Sequence, residues 1–175
     1  MAERTGLVTL KGNPMTLLGN EIKVGQPAPD ATIVANDLSE VKLSSLLTGK
    51  RTIISAVPSL DTPVCDLQTK RFNKEAASLS DDIQIITVSM DLPFAQKRWC
   101  GANGDKVRTF SDHRTASFGN AFGILIKNLQ LLARSIFVVD ENGKVLYTQI
   151  VKEVASEPDY DAAMQALKKP AMAKK

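Results

Sequence analysis

The sequence predicts an α/β domain in which a central mixed β-sheet is flanked by helices and preceded by an N-terminal β-hairpin. Three observations carry this. Apolar, β-branched runs of strand length alternate with amphipathic or capped stretches through most of the chain. Two of these runs, RTIISAV (51–57) and DIQIITVSM (82–90), are nearly continuous, as expected for central strands covered on both faces. A segment of helical spacing separates them, which makes a parallel strand–helix–strand unit.

Taken in order, GLVTLKGNPMTLLG (6–19) predicts two short strands about a turn at Gly12-Asn13-Pro14. VGQPAPD (24–30) is a connector, and ATIVAN (31–36) opens the main body as a strand. After the strand at 51–57, residues 63–79 place Val64, Leu67, Phe72, Ala76 and Leu79 at roughly helical intervals. In the segment after the strand at 82–90, Pro93 can open a helix and Gly101 can close it. SIFVVD (135–140), ENG (141–143) and KVLYTQIV (144–151) spell an antiparallel hairpin, and DYDAAMQALKK (159–169) a last amphipathic helix. One domain over residues 1–169 is expected, followed by a disordered basic tail at 170–175.

Composition narrows the function classes. The formal charge is +3, but Lys168, Lys169, Lys174 and Lys175 supply four of the 22 Lys and Arg, leaving 18 against 19 acids. The body is close to neutral, and only 5% of the residues are aromatic, which argues against nucleic acid as a partner. Nowhere do 18 apolar residues run consecutively, and MAERTGLVTL has no signal-peptide core, so a soluble cytoplasmic protein without a membrane partner is expected. Two cysteines are too few for a secreted disulfide scaffold, and His113 is the only histidine, so no structural metal is expected.

Cys65 is the residue with chemistry to explain. Thr62 can cap the helix that follows, Pro63 suits its first position, and Cys65 then falls in the first turn. Free backbone N–H groups and the positive end of the helix dipole favour a thiolate there. Asp66 opposes it, so a cation from elsewhere is needed, and Arg134, set among apolar residues in LLARSIF, is the candidate. The bland alternative for Cys65 is a small buried hydrophobe. Cys100 falls near the C-terminal end of its own helix, which makes it a poor first nucleophile but leaves it open as a resolving partner or a structural thiol. The 35-residue separation excludes a C-x-x-C motif. Cys65 and Arg71 satisfy the C-x5-R spacing of cysteine phosphatases, but CDLQTKR lacks glycine and has helical character. Trp99 and Phe94 are candidates for lining an apolar approach to the site, with core packing as the alternative.

PSLDTPVC (58–65) matches the peroxiredoxin pattern of proline, three residues, threonine, two residues, cysteine. SMDLPFAQKRWCGANG (89–104), SDHRTASFGNAFG (111–123) and LLARSIFVVDENGKV (131–145) resemble successive blocks of the thiol peroxidases, the atypical two-cysteine peroxiredoxins. The resemblance covers about residues 5–168, and Trp99 stands where a smaller aromatic is expected. It implies a thioredoxin-like fold with an added N-terminal hairpin, a homodimer, and reduction of hydroperoxides with electrons from thioredoxin, without metal or organic cofactor. It further implies that Cys65 is the peroxidatic cysteine, Thr62 and Arg134 its activating partners, Pro58 its shield, and Cys100 the resolving cysteine of the same chain. A thioredoxin-fold sensor that signals oxidation to a partner is the alternative, and it would consume one equivalent of peroxide instead of turning over.

Overall fold

The structure, a computed structural model, describes residues 2–104 and 106–170. The tail expected to be disordered falls, beyond Pro170, outside the described residues. In chain order the elements are β1 (Glu3–Leu10), β2 (Asn13–Leu18), β3 (Thr32–Val34), β4 (Glu40–Lys42), α1 (Leu43–Leu47), β5 (Arg51–Ala56), α2 (Pro63–Ala76) and β6 (Ile83–Ser89). They continue with α3 (Pro93–Asn103), β7 (Arg108–Ser111), α4 (Ser117–Ala121), β8 (Leu125–Ile126), β9 (Leu131–Leu132), β10 (Ser135–Val139), β11 (Val145–Ile150) and α5 (Tyr160–Ala166).

The main sheet has the order β11-β10-β5-β6-β7-β3-β4. β5 pairs parallel with β6, and β6 with β7, whereas β10 runs antiparallel to β5 and to β11. This is the predicted mixed sheet. The two apolar runs lie at its centre because strands covered on both faces leave no side for polar residues. Alternate side chains enter opposite layers. Ile53, Ile85, Ile136 and Val138 pack with Phe72 of α2 and with Tyr160, Ala163 and Ala166 of α5. Ile54, Ile86, Phe137 and Val139 pack on the other face with Val8 and Leu17 of the hairpin, Phe118 of α4 and Phe122 at its C-cap.

The hairpin belongs to a second sheet, β1-β2-β8-β9. Its turn is Lys11-Gly12, both at positive φ (50° and 79°), one residue earlier than expected. Asn13 and Pro14 are already paired, with Leu10 and Thr9. A two-residue loop with both φ positive matches the strand twist, and that geometry outweighs the turn preference of Asn and Pro. Gly19 ends the hairpin at φ 97°, where a Cβ would lie 2.4 Å from the Asn120 carbonyl oxygen, so only glycine lets β2 pass α4.

Two helices depart from the periodicity argument. In α2 the buried residues are Cys65, Gln68, Thr69 and Phe72, while Leu67 is 55% exposed. The helix therefore turns a partly polar face inward, toward a site that uses those polar groups. In α3, Gly101 does not end the helix, which continues to Asn103 and is capped by Gly104 at φ 99°. No described helix is long and apolar enough to cross a membrane.

Candidate active site

α2 begins where the parallel strand β5 ends, the edge of an α/β sheet where ligand crevices form. Pro63 is the first helical residue and Cys65 the third, as the local sequence dictates. The first backbone bond of the helix runs from Asp66 N–H to Thr62 O (2.9 Å), which leaves the N–H groups of Val64 and Cys65 ahead of the helical ladder. Thr62 holds the N-cap position but does not cap with its side chain. Its hydroxyl donates to the Ser59 carbonyl at 3.0 Å instead, so its oxygen keeps its lone pairs for another donor.

The predicted cation arrives from 69 residues away. Arg134 precedes β10, and its Nη2 donates to Cys65 Sγ at 3.1 Å. Nη1 donates to Gln68 Oε1 at 2.8 Å and Nε to the Val154 carbonyl at 2.8 Å. Gln68 Nε2 in turn donates to Ser55 Oγ at 2.7 Å. Cys65 and Gln68 are fully buried and Arg134 is 2% exposed. Among the described residues no carboxylate lies within ion-pair distance of this guanidinium. Among those residues the sulfur is the one ionisable group that its hydrogen bonds reach.

Asp66, expected to oppose a thiolate, is occupied elsewhere. Its carboxylate accepts from Trp99 Nε1 and pairs with Lys70 Nζ, each at 2.8 Å. Burial raises its pKa, but the bonds from Lys70 and Trp99 prevail and hold the carboxyl below the usual range.

A cavity of about 360 Å³ opens beside this cluster. Pro58, Thr62, Val64 and Arg134 line it together with Lys11 and Leu129. Of the sequence-predicted residues, Cys65, Arg134, Thr62 and Pro58 thus converge. Cys100 does not line this cavity. It packs against the small apolar cluster of Val57, Leu60, Cys65 and Trp99, but its Sγ sits 3.4 Å from Thr109 Oγ1 and lines a separate cavity of about 450 Å³. Both thiols are free. Trp99 is buried in that cluster and Phe94 is 66% exposed; neither lines the cavity at Arg134. Arg71 extends along α2 to Glu75 and over the Tyr160 ring, so the C-x5-R spacing forms no phosphate loop.

Gln68 and Ser55 were not foreseen. The signal for Gln68 was a polar residue three positions after the cysteine, on the cysteine's own helix face. Among the described residues no group of three or more His, Cys, Asp or Glu is placed to hold a metal.

A family profile described as Redoxin matches residues 23–164. The thiol peroxidase of Bacillus subtilis is 58% identical over 162 residues, covering 92% of this chain and 96% of the relative. That of Oceanobacillus iheyensis is 56% identical over 163 residues, 93% of this chain and 98% of the relative. A peroxiredoxin-like protein from Aquifex aeolicus superposes with TM-score 0.84 at 43% identity, covering 94% of this chain and 96% of that one. A thiol peroxidase from Chromobacterium violaceum gives TM-score 0.81 at 19% identity over 92% of this chain and 94% of that one, a likeness of fold. The buried Arg134–Cys65 contact on a redoxin fold, together with relatives this similar over nearly the whole length, places the chain in the redoxin family, among the thiol peroxidases.

Proposed function

We propose that this protein reduces hydroperoxides with Cys65 as the attacking sulfur and Cys100 as the resolving one. The observation that carries the reading is the buried guanidinium of Arg134 at 3.1 Å from Cys65 Sγ. The thiolate attacks the nearer peroxide oxygen, the O–O bond breaks, and the second oxygen leaves with a proton as alcohol or water. Negative charge spreads from sulfur over both oxygens during this displacement. Arg134 and the N–H groups of the first helical turn are donors suited to that charge, and the Thr62 oxygen can accept from the peroxide O–H. Pro58 shields the sulfur from bulk water. The cavity of about 360 Å³ has mostly apolar walls, room for an alkyl hydroperoxide as well as hydrogen peroxide.

Cys65 becomes a sulfenic acid, which condenses with the Cys100 thiol to give a disulfide and water. A disulfide needs α-carbons within about 7 Å, and Cys65 is fully buried, so the first turn of α2 must unwind for the bond to form. A dithiol of the thioredoxin type returns the pair to thiols. The single domain of residues 1–169 works as a homodimer in the cytoplasm, a reading supported by the family to which the chain belongs.

Intact mass after one equivalent of peroxide tests the assignment. Wild type should lose two hydrogens, Cys100→Ser should gain one oxygen, and Cys65→Ser should stay unchanged. Oxidation of Cys65→Ser at the wild-type rate would overturn it, as would sustained turnover of Cys100→Ser with thioredoxin.

A further inference from the structure

One half-buried carboxylate links the loop ahead of the Cys65 helix to the strand end that anchors the Cys100 helix. Asp91 lies between β6 and α3. Its Oδ1 accepts from Ser59 Oγ at 2.6 Å, and its Oδ2 accepts from the Leu60 N–H at 2.8 Å and from Ser89 Oγ at 2.7 Å. Its carbonyl accepts from Ser111 Oγ at 2.5 Å, which fixes the carboxylate's own backbone to the end of β7.

Each partner leads to a cysteine. The Ser59 carbonyl accepts both the N–H and the hydroxyl of Thr62, at 3.2 and 3.0 Å, so the orientation of Thr62 follows from that of Ser59. Leu60 packs in the cluster that covers Cys65. On the other side, Ser89 Oγ accepts from Gln96 Nε2 at 2.9 Å, and Gln96 is a buried residue of α3, one turn before Cys100. The loop ahead of Cys65 and the helix that bears Cys100 are therefore registered against each other through Asp91.

We propose that Asp91 is a positioning residue for both half-reactions: it holds the Ser59–Thr62 loop in the peroxide-reactive arrangement, and its release from that loop gates the approach of Cys100 to Cys65. The inference rests on the roles given above to the two cysteines. While the carboxylate grips Ser59 and Leu60, Thr62 and Cys65 stay in place for attack, and the same grip resists the unwinding that disulfide formation requires. The gated step is the condensation in which the sulfenic oxygen leaves as water with the Cys100 proton and the S–S bond forms. A weaker grip should slow the first step and speed the second. A merely structural role would slow both.

Stopped-flow fluorescence with quenched-sample mass separates the steps. Trp99 is the only tryptophan and packs in the Cys65 cluster, so it reports on both. Asp91→Asn weakens every bond to the carboxylate, whereas Ser59→Ala removes one of them, together with the bond Ser59 Oγ accepts from the Asp61 N–H, and leaves the Leu60 and Ser89 contacts. The peroxide-dependent phase is expected to slow about tenfold in each variant, the size of effect that small misplacement of reacting groups produces. The peroxide-independent disulfide phase should become at least about threefold faster, as a lowered local-opening barrier requires. If Asp91→Asn does not fold, Ser59→Ala decides. The proposal is overturned if Ser59→Ala leaves both phases unchanged or slows both while wild type shows the two phases. A wild type that oxidises Cys65 without forming the disulfide would overturn the Cys100 assignment and this proposal with it.

Discussion

Gln68 sits between Arg134 and Ser55, accepting from one and donating to the other. An amide does both with one side chain and no charge, so the sulfur stays, among the described residues, the one ionisable group bonded to the guanidinium. Gln68→Leu removes a partner from two buried polar groups and should destabilise the fold by about 1–3 kcal/mol in urea denaturation. Gln68→Glu tests the electrostatic half of the argument. A carboxylate there would satisfy Arg134 in place of Cys65, so peroxide reduction should fall more than tenfold, order of magnitude, with little loss of stability. Equal activity in Gln68→Glu and wild type would refute the charge balance. The pairing across 66 residues was invisible in the sequence because helix periodicity ranks residues by hydropathy, and this helix buries Gln68 and Thr69 while exposing Leu67.

Among the elements, α4 shows how burial acts on a titratable group. The Asp112 carboxylate accepts from the N–H groups of Phe118 and Gly119, both at 2.8 Å, at the start of this short helix. Burial outweighs those two bonds and pushes the carboxyl from the usual 3.8 up to about 6. A folded-state value above the unfolded one means that the contribution to stability is complete below about pH 4 and is lost as the pH rises through about 6. The span corresponds to on the order of 3 kcal/mol. The stability of wild type relative to Asp112→Asn, from urea midpoints at pH 4, 5, 6 and 7, should decline across that window. A difference that does not change with pH would exclude it. Gly119 is fixed by the same packing, since a Cβ there would meet Leu132 at 2.7 Å and Asp112 Oδ2 at 3.3 Å. The small and aromatic residues of GNAFG suggest a helix packed near a pocket or interface, whereas Phe118 and Phe122 lie in the core; the carboxylate beside them was not legible, because β7 has to pair with β6 before Asp112 comes into position.

Across the whole molecule, Glu153 ties the hairpin sheet to the main sheet beside the active site. Its Oε1 accepts from Thr9 Oγ1 and from Gly12 N–H, and its Oε2 accepts from Ala155 N–H. Bonds from the Ala155 and Gly12 amides lower this carboxyl to about 2. A lowered value means that the contribution is present above about pH 4.5 and is lost as the pH falls toward 2. The next residue, Val154, supplies the carbonyl that holds Arg134 Nε, and Leu10 and Lys11 from the hairpin tip reach the cavity wall. Between pH 4.5 and 3, amide exchange at Gly12 and Ala155, corrected for intrinsic rates, should quicken in wild type and stay level in Glu153→Gln; the same pH response in both would exclude the clamp. Adjacent residues determined several features by themselves: the strand at 51–57, the helix opened by Pro63, and a cysteine in its first turn, because capping and strand formation act over a few neighbouring residues. The family pattern in PSLDTPVC was legible for the same reason. Only the tertiary structure decided that Arg134 meets Cys65, that Gln68 holds Arg134, and that Asp91 grips the loop ahead of α2. Those contacts join residues 31 to 69 positions apart, and they exist only once the sheet order has carried β10 and β6 to either side of β5.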